Sequence, residues 1–210
     1  DPSKHNVAAD VSVKQPVTYG EGSRTIVLVD CGVKNNIIRC FLKRNTKIIR
    51  VPWDFDYSNL EYDGLFISNG PGDPKQLSKT VDILKKVLGN PNHKPVFGIC
   101  MGNLSLGLAS GADTYKLKYG HRSHNQPVQQ VGTNRCFITS QNHGYTVDLK
   151  KISGDWETLF INNNDGTCEG IKHKTRPIFS AQFHPEASSG PTDTEFLFDE
   201  FLSIVDKHKK

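Results

Sequence analysis

Pro95-Val-Phe-Gly-Ile-Cys100-Met-Gly102 is an apolar run that turns on two glycines with a cysteine between them. Val96, Phe97 and Ile99 read as a short, continuously buried strand. Past Gly102, Leu104 and Leu108 recur at helical spacing. A strand that feeds a helix through so short a turn strains the central residue. Glycines on either side remove the side chains that would clash. The stretch therefore reads as the thiol form of a nucleophile elbow, Gly98-x-Cys100-x-Gly102. The elbow lifts the sulfur to the carboxyl end of a sheet and sets it at a helix N-terminus, where the dipole favours a thiolate. The Met101 amide, next in the chain, points at a developing oxyanion. A cysteine closing a buried strand is also commonly an inert core residue, so the elbow needs partners elsewhere in the chain.

Working outward, strands and helices alternate. Buried strands are expected over 25–29, 47–51, 62–67 and 95–100, with helices over 35–44 and 76–88 and after the elbow. That alternation is the pattern of a doubly wound α/β fold, a mostly parallel central sheet with helices on both faces. Ligands in such sheets sit outside the carboxyl ends of the strands. The turn Ser68-Asn-Gly70-Pro-Gly72-Asp-Pro74 and the Cys100 elbow both fall there. The second half changes character. Shorter strands over 135–139, 144–147, 158–161, 170–173 and 177–183 predict a smaller mixed or antiparallel sheet. A last helix over 192–207 carries Leu197, Phe198, Phe201, Leu202 and Val205 on one stripe, with Thr192 and Glu195 spaced for a capping box. Residues 1–23 are polar with scattered Pro and Gly. They read as a linker or arm from a preceding domain, and residues 24–210 as the catalytic unit.

Composition excludes several classes. The 210 residues carry a net charge of only +4 with scattered lysines, so no nucleic-acid partner is expected. No run approaches the roughly 18 apolar residues of a membrane span. Five cysteines, an odd number without C-x-x-C, fit a reducing, cytoplasmic setting and argue against a metal site.

A nucleophilic thiol needs a base. His184 follows a buried strand, and Glu186 lies two residues on across the stiff Pro185, placed to orient the imidazole. His121, His124 and His143 are rivals for the same role.

Together, Ser68-Asn-Gly-Pro-Gly-Asp-Pro74, Gly98-Ile-Cys-Met-Gly102, Ser140-Gln-Asn-His-Gly144 and Gln182-Phe-His-Pro-Glu186 resemble the class I (triad) glutamine amidotransferases. Asn125-Gln-Pro127, Asn164-Asp-Gly166 and Glu169-Gly-Ile171 narrow the resemblance to the glutaminase part of carbamoyl phosphate synthetase, over about residues 24–205. The resemblance implies a Cys100–His184–Glu186 triad that cleaves L-glutamine through a cysteinyl thioester. It implies an oxyanion hole from the Met101 and Gly70 amides, and substrate contacts from Gly72, Asn142, Gly144, Tyr145 and position 104. It implies no cofactor in this domain. ATP and Mg belong to a partner synthetase part, fused or separate, which receives the ammonia. It also implies an N-terminal glutaminase subdomain absent from this chain, and a cytoplasmic location, or a mitochondrial one for a urea-cycle type. Pyrimidine, arginine and urea pathways all stay open.

One departure matters. Where the family reads Cys-Leu-Gly-His-Gln, this chain reads Cys100-Met-Gly-Asn103-Leu104. The family glutamine at position 104 hydrogen-bonds the substrate, and leucine cannot. Losing such a bond to a charged group costs about 1.5–3 kcal/mol. Asn103-Leu104 is similar to the ammonia-dependent synthetases, so a glutaminase-impaired structural or regulatory domain is the second expectation.

Overall fold

The computed structural model describes residues 5–209. Its organising element is one ten-stranded sheet. The first half supplies α1 (Val7–Val11), β1 (Val17–Tyr19), β2 (Arg24–Asp30), α2 (Asn35–Leu42), β3 (Thr46–Pro52), β4 (Gly64–Ile67), α3 (Ser78–Gly89), β5 (Val96–Ile99) and α4 (Met101–Ala109). The second supplies β6 (Thr114–Gln130), β7 (Cys136–Val147), β8 (Trp156–Asn162), β9 (Cys168–His173), β10 (Ile178–Ala181) and α5 (Phe196–His208). The strand order is β1-β3-β2-β4-β5-β10-β9-β8-β6-β7. Strands β3, β2, β4, β5 and β10 run parallel.

Alternation along β2 decides which helices cover which face. Ile26 and Leu28 join a cluster with Phe41 of α2 and Phe198 and Phe201 of α5. Val27 and Val29 point the other way, to a cluster with Leu84 of α3 and Met101 and Leu104 of α4. Period-two side chains thus give two cores from one strand. Both faces of the parallel strands are covered by helices, as expected for this class.

Three expectations need correction. The smaller second sheet is not separate. β9 pairs antiparallel with β10 through Phe179 and Lys172 and so continues the main sheet. Gly170 permits this close approach, since a Cβ there would lie 2.4 Å from the Ser180 carbonyl oxygen. The strands expected over 135–139 and 144–147 are one, β7, and its partner β6 was not foreseen. β6 is polar, contains Pro127, and is held mainly by pairing with β7 across two register irregularities, so it carries no apolar period to read. The capping box does not form. α5 starts at Phe196 without a side-chain cap, and the Glu195 carboxylate instead accepts from Arg44 at 3.1 Å.

Residues 7–19, read as an arm, fold against the sheet. β1 pairs antiparallel with β3, and the buried Asp30 carboxylate accepts from the Val13 amide at 2.8 Å. Residues 1–4 of that arm lie outside the described residues. Among those described, no helix is long and apolar enough to cross a membrane.

Candidate active site

Cys100 sits between β5 and α4 at φ 55° and ψ −99°. A non-glycine residue in that region is strained by about 1–3 kcal/mol and persists only when its surroundings hold it. They do. The Cys100 amide donates to the Ala181 carbonyl at 2.8 Å, and its own carbonyl accepts from the Leu104 amide at 3.1 Å. Both flanking glycines are sterically required. A Cβ on Gly98 would lie 2.7 Å from the Gly102 carbonyl carbon, and one on Gly102 would lie 2.2 Å from the Ile67 oxygen. The elbow is therefore pressed against the end of β4, from which the Gly70 turn departs. Gly70 is equally tight, with a Cβ position 2.0 Å from the Cys31 oxygen, while Gly72 takes φ +94°.

The register of β10 on β5 brings the far end of the chain to this bend. Ile178 pairs with Val96 and Ala181 with Ile99, so the residues after Ala181 emerge beside Cys100. The His184 amide is fixed on the Ser140 carbonyl of β7 at 2.9 Å. Its Nδ1 lies 2.7 Å from Glu186 Oε1, and Cys100 is within electrostatic reach of the same imidazole. Cys100, His184 and Glu186 are all nearly solvent-free. Burial alone disfavours the imidazolium, but the Glu186 charge and the Cys100 thiol outweigh it and hold His184 up to about 10. Burial would likewise raise Glu186, yet the facing imidazolium keeps its carboxyl below the usual range.

The rival histidines are engaged elsewhere. His124 Nδ1 lies 2.9 Å from Ser140 Oγ. His121 and His143 belong to a buried polar cluster with Gln141, Asn162 and Glu169. Glu169 and Asp165 outweigh burial and raise His121 to about 9, whereas burial lowers His143 to about 3.

Of the remaining expected residues, Tyr145 reaches toward the elbow edge and donates from its hydroxyl to Asp73 at 3.3 Å, joining β7 to the Gly70–Gly72 turn. Gly144 is half-buried and Asn142 is exposed. Leu104 is buried, in the apolar cluster that also holds Met101, Leu65 and Val147. Asn103 is a structural tie. It accepts from Ser180 Oγ and donates to Gln182 Oε1, both at 2.7 Å and all buried. A cavity of about 870 Å³ lies at the opposite, amino-terminal edge of the sheet, lined by Thr25, Lys47, Tyr62 and His93, and holds no site residue.

Two residues were not foreseen. Lys34 Nζ lies 3.6 Å from Glu186 Oε1, and Asn36 donates from its side chain to the Glu186 carbonyl. Lys34 precedes α2 and Asn36 lies in its first turn, a stretch with no catalytic pattern, so only the neighbouring of β2, β4, β5 and β10 could have found them.

A strained thiol, an imidazole and a carboxylate at the carboxyl edge of a parallel sheet narrow the chemistry to nucleophilic acyl transfer. A profile of the family glutamine amidotransferase class-I matches residues 27–204. The chain belongs to the class-I glutamine amidotransferases. This amidotransferase is 51% identical to multifunctional protein CAD of Squalus acanthias over 206 residues, which cover 98% of the chain and 9% of that protein. It is 49% identical to carbamoyl-phosphate synthase [ammonia], mitochondrial, of Aquarana catesbeiana over 210 residues, covering 100% of the chain and 14% of that protein. The chain thus spans a small part of these relatives' length. The crystal structure of a glutamine amidotransferase from Thermotoga maritima superposes with a TM-score of 0.64 at 17% identity, covering 90% of this amidotransferase and 86% of that chain. At that identity the match speaks to the fold.

Proposed function

We infer that this amidotransferase domain hydrolyses glutamine and passes ammonia to carbamoyl phosphate synthesis on a synthetase part. Cys100 Sγ, its proton already held on His184, attacks the side-chain amide carbon as a thiolate. The Met101 and Gly70 amides hold the oxyanion. His184 returns the proton to the leaving nitrogen, ammonia departs, and a γ-glutamyl thioester remains on Cys100. Water, deprotonated by His184, then releases glutamate and restores the thiolate. Glu186 and Lys34 steady the imidazole and its carboxylate partner. Gly72, Asn142, Gly144 and Tyr145 bind the amino-acid end of glutamine. The hydrolysis needs no cofactor in this domain, and ATP and Mg act on the synthetase part.

The observation that carries this reading is the pairing of β10 with β5, which delivers His184 to Cys100. Glutamate release from glutamine, compared between the parent protein and its Cys100→Ala variant, tests it. The expected result is release that the variant abolishes. Equal rates in the two would overturn it.

A second reading is favoured by one observation. Leu104, one turn along α4 from Cys100, presents no polar atom and is packed in the apolar core. On that reading glutamine recognition is weak, and the domain serves an ammonia-using synthetase as a structural or regulatory unit. A multifunctional protein and a mitochondrial synthase both stand among the relatives, and the reading is compatible with a cytoplasmic or a mitochondrial location.

A further inference from the structure

Next to the triad lies a buried cluster that the glutamine chemistry leaves unused. Among the described residues, His121, His143 and Glu169 form the one group of three ligating side chains that converge on a common point, with their ligand atoms all within 4.8 Å of one another. They come from three strands, β6, β7 and β9, so no short motif announces them. His121 and His143 face each other in the β6–β7 register.

The hydrogen bonds of this cluster leave its centre short of donors. His121 Nε2 lies 2.8 Å from the Asp165 carboxylate, which can only accept, so the proton of the neutral ring is there. Its Nδ1 then turns a lone pair inward. His143 Nδ1 lies 2.9 Å from the Tyr145 carbonyl, which also only accepts, so His143 Nε2 is likewise an inward lone pair. Between the two rings sits Gln141 Oε1, 2.8 Å from His121 Nδ1 and 3.0 Å from His143 Nε2. Turning the amide over would give both rings a donor, but only by breaking bonds on its other side. Its NH2 group donates to Thr139 Oγ1 at 3.0 Å, and that hydroxyl spends its own proton on the Gln126 carbonyl at 2.9 Å. Glu169 completes the ring, with Oε1 3.1 Å from His121 Nδ1 and 3.9 Å from His143 Nε2. Asn162 donates to that oxygen, but Glu169 Oε2 is buried with no donor at all. Four acceptor groups and a fully buried carboxylate thus share one small space. Such a carboxylate requires a counter-charge. A second proton on His121 can supply that charge, yet it still leaves His143 Nε2 and Glu169 Oε2 without a donor. A cation in its place would serve all four groups.

We propose that His121 Nδ1, His143 Nε2, Glu169 and the Gln141 carbonyl oxygen form a binding site for a zinc-type divalent cation. Two imidazoles with two oxygens suit a borderline ion such as Zn²⁺, whereas Mg²⁺ and Ca²⁺ prefer oxygen alone. A tetrahedral ion with bonds of about 2.0–2.2 Å spaces its ligand atoms by about 3.3–3.5 Å. The four separations above, 2.8, 3.0, 3.1 and 3.9 Å, bracket that spacing. The outer shell is also present. Each histidine anchors its other nitrogen on an acceptor, Asp165 for one and the Tyr145 carbonyl for the other, as metal-bound histidines usually do. Asp165 is 42% exposed in its side chain and marks a route of entry. The ion would tie β6, β7 and β9 together beneath Asn142 and Gly144.

The test uses the full protein that contains this chain, in a Cys100→Ala background so that the active-site thiol cannot capture metal. After chelator treatment it is titrated with Zn²⁺, and with Co²⁺ as a spectroscopic probe. The expected result is one ion per chain and cobalt d–d bands without thiolate-to-metal charge transfer. His121→Asn and Glu169→Gln should abolish stoichiometric binding, and Asp165→Asn should weaken it by about 10–100-fold. No stoichiometric binding, or binding unchanged in both ligand variants, would overturn the site. Should those variants fail to fold, the cobalt spectrum of the Cys100→Ala protein still decides, because absent bands or thiolate charge transfer would refute this ligand set.

Discussion

His184 Nδ1 and Glu186 Oε1 stand 2.7 Å apart across Pro185, in a setting almost free of solvent. This is a buried ion pair whose two members depend on each other. Removing one partner of such a pair leaves an uncompensated charge and costs about 3–5 kcal/mol.

Glu186→Gln should therefore lower stability and, by releasing the imidazole from its orienting carboxylate, reduce glutaminase turnover by about two orders of magnitude. The pH dependence has a defined sign. His184 is raised from the usual 6.5 to about 10, so its contribution is fully present below pH 6.5 and is lost as pH rises through about 10. The gap in melting temperature between the parent and Glu186→Gln should narrow across that window. A gap that widened with rising pH would contradict the pairing.

Gly102→Ala forces a methyl group to within 2.2 Å of the Ile67 oxygen, which is backbone and cannot swing away. Overpacking of this kind costs about 1–3 kcal/mol. We expect a lower denaturation midpoint and a changed rate of Cys100 alkylation. Gly89→Ala, where a Cβ meets nothing within 4 Å, serves as the control and should change neither.

Asn103→Ala removes a side chain bonded to both Ser180 Oγ and Gln182 Oε1. Ser180 Oγ keeps its bond to the Ile171 carbonyl at 3.1 Å, so Gln182 Oε1 is the buried group left unpaired, at about 1–3 kcal/mol. Urea unfolding should show a loss in that range, and a change below about 0.5 kcal/mol would show that water replaces the amide.

Leu104→Gln tests whether glutamine recognition is the weak step. If the new amide reaches the substrate, KM for glutamine should fall by about ten- to a hundredfold with kcat little changed, matching about 1.5–3 kcal/mol of binding. An unchanged KM, with lower stability from a polar group in the Met101 and Leu65 cluster, would show that the side chain stays inward.

Much was legible in the chain because it is local. The apolar strand, the glycines flanking Cys100 and the Pro185 spacer act over a few residues, and short-range sterics leave them one solution. From them follow the elbow, the alternating α/β order and the pairing of His184 with Glu186. What the sequence could not fix was which strands become neighbours. The parallel seat of β10 on β5, the joining of β9 to β10 through Gly170, and the approach of Lys34 to Glu186 are contacts between distant segments. β6 and the His121–His143–Glu169 cluster are the clearest case. Their residues are polar and carry no apolar period, so nothing local marks them, and only strand register in the folded sheet turns them into one site.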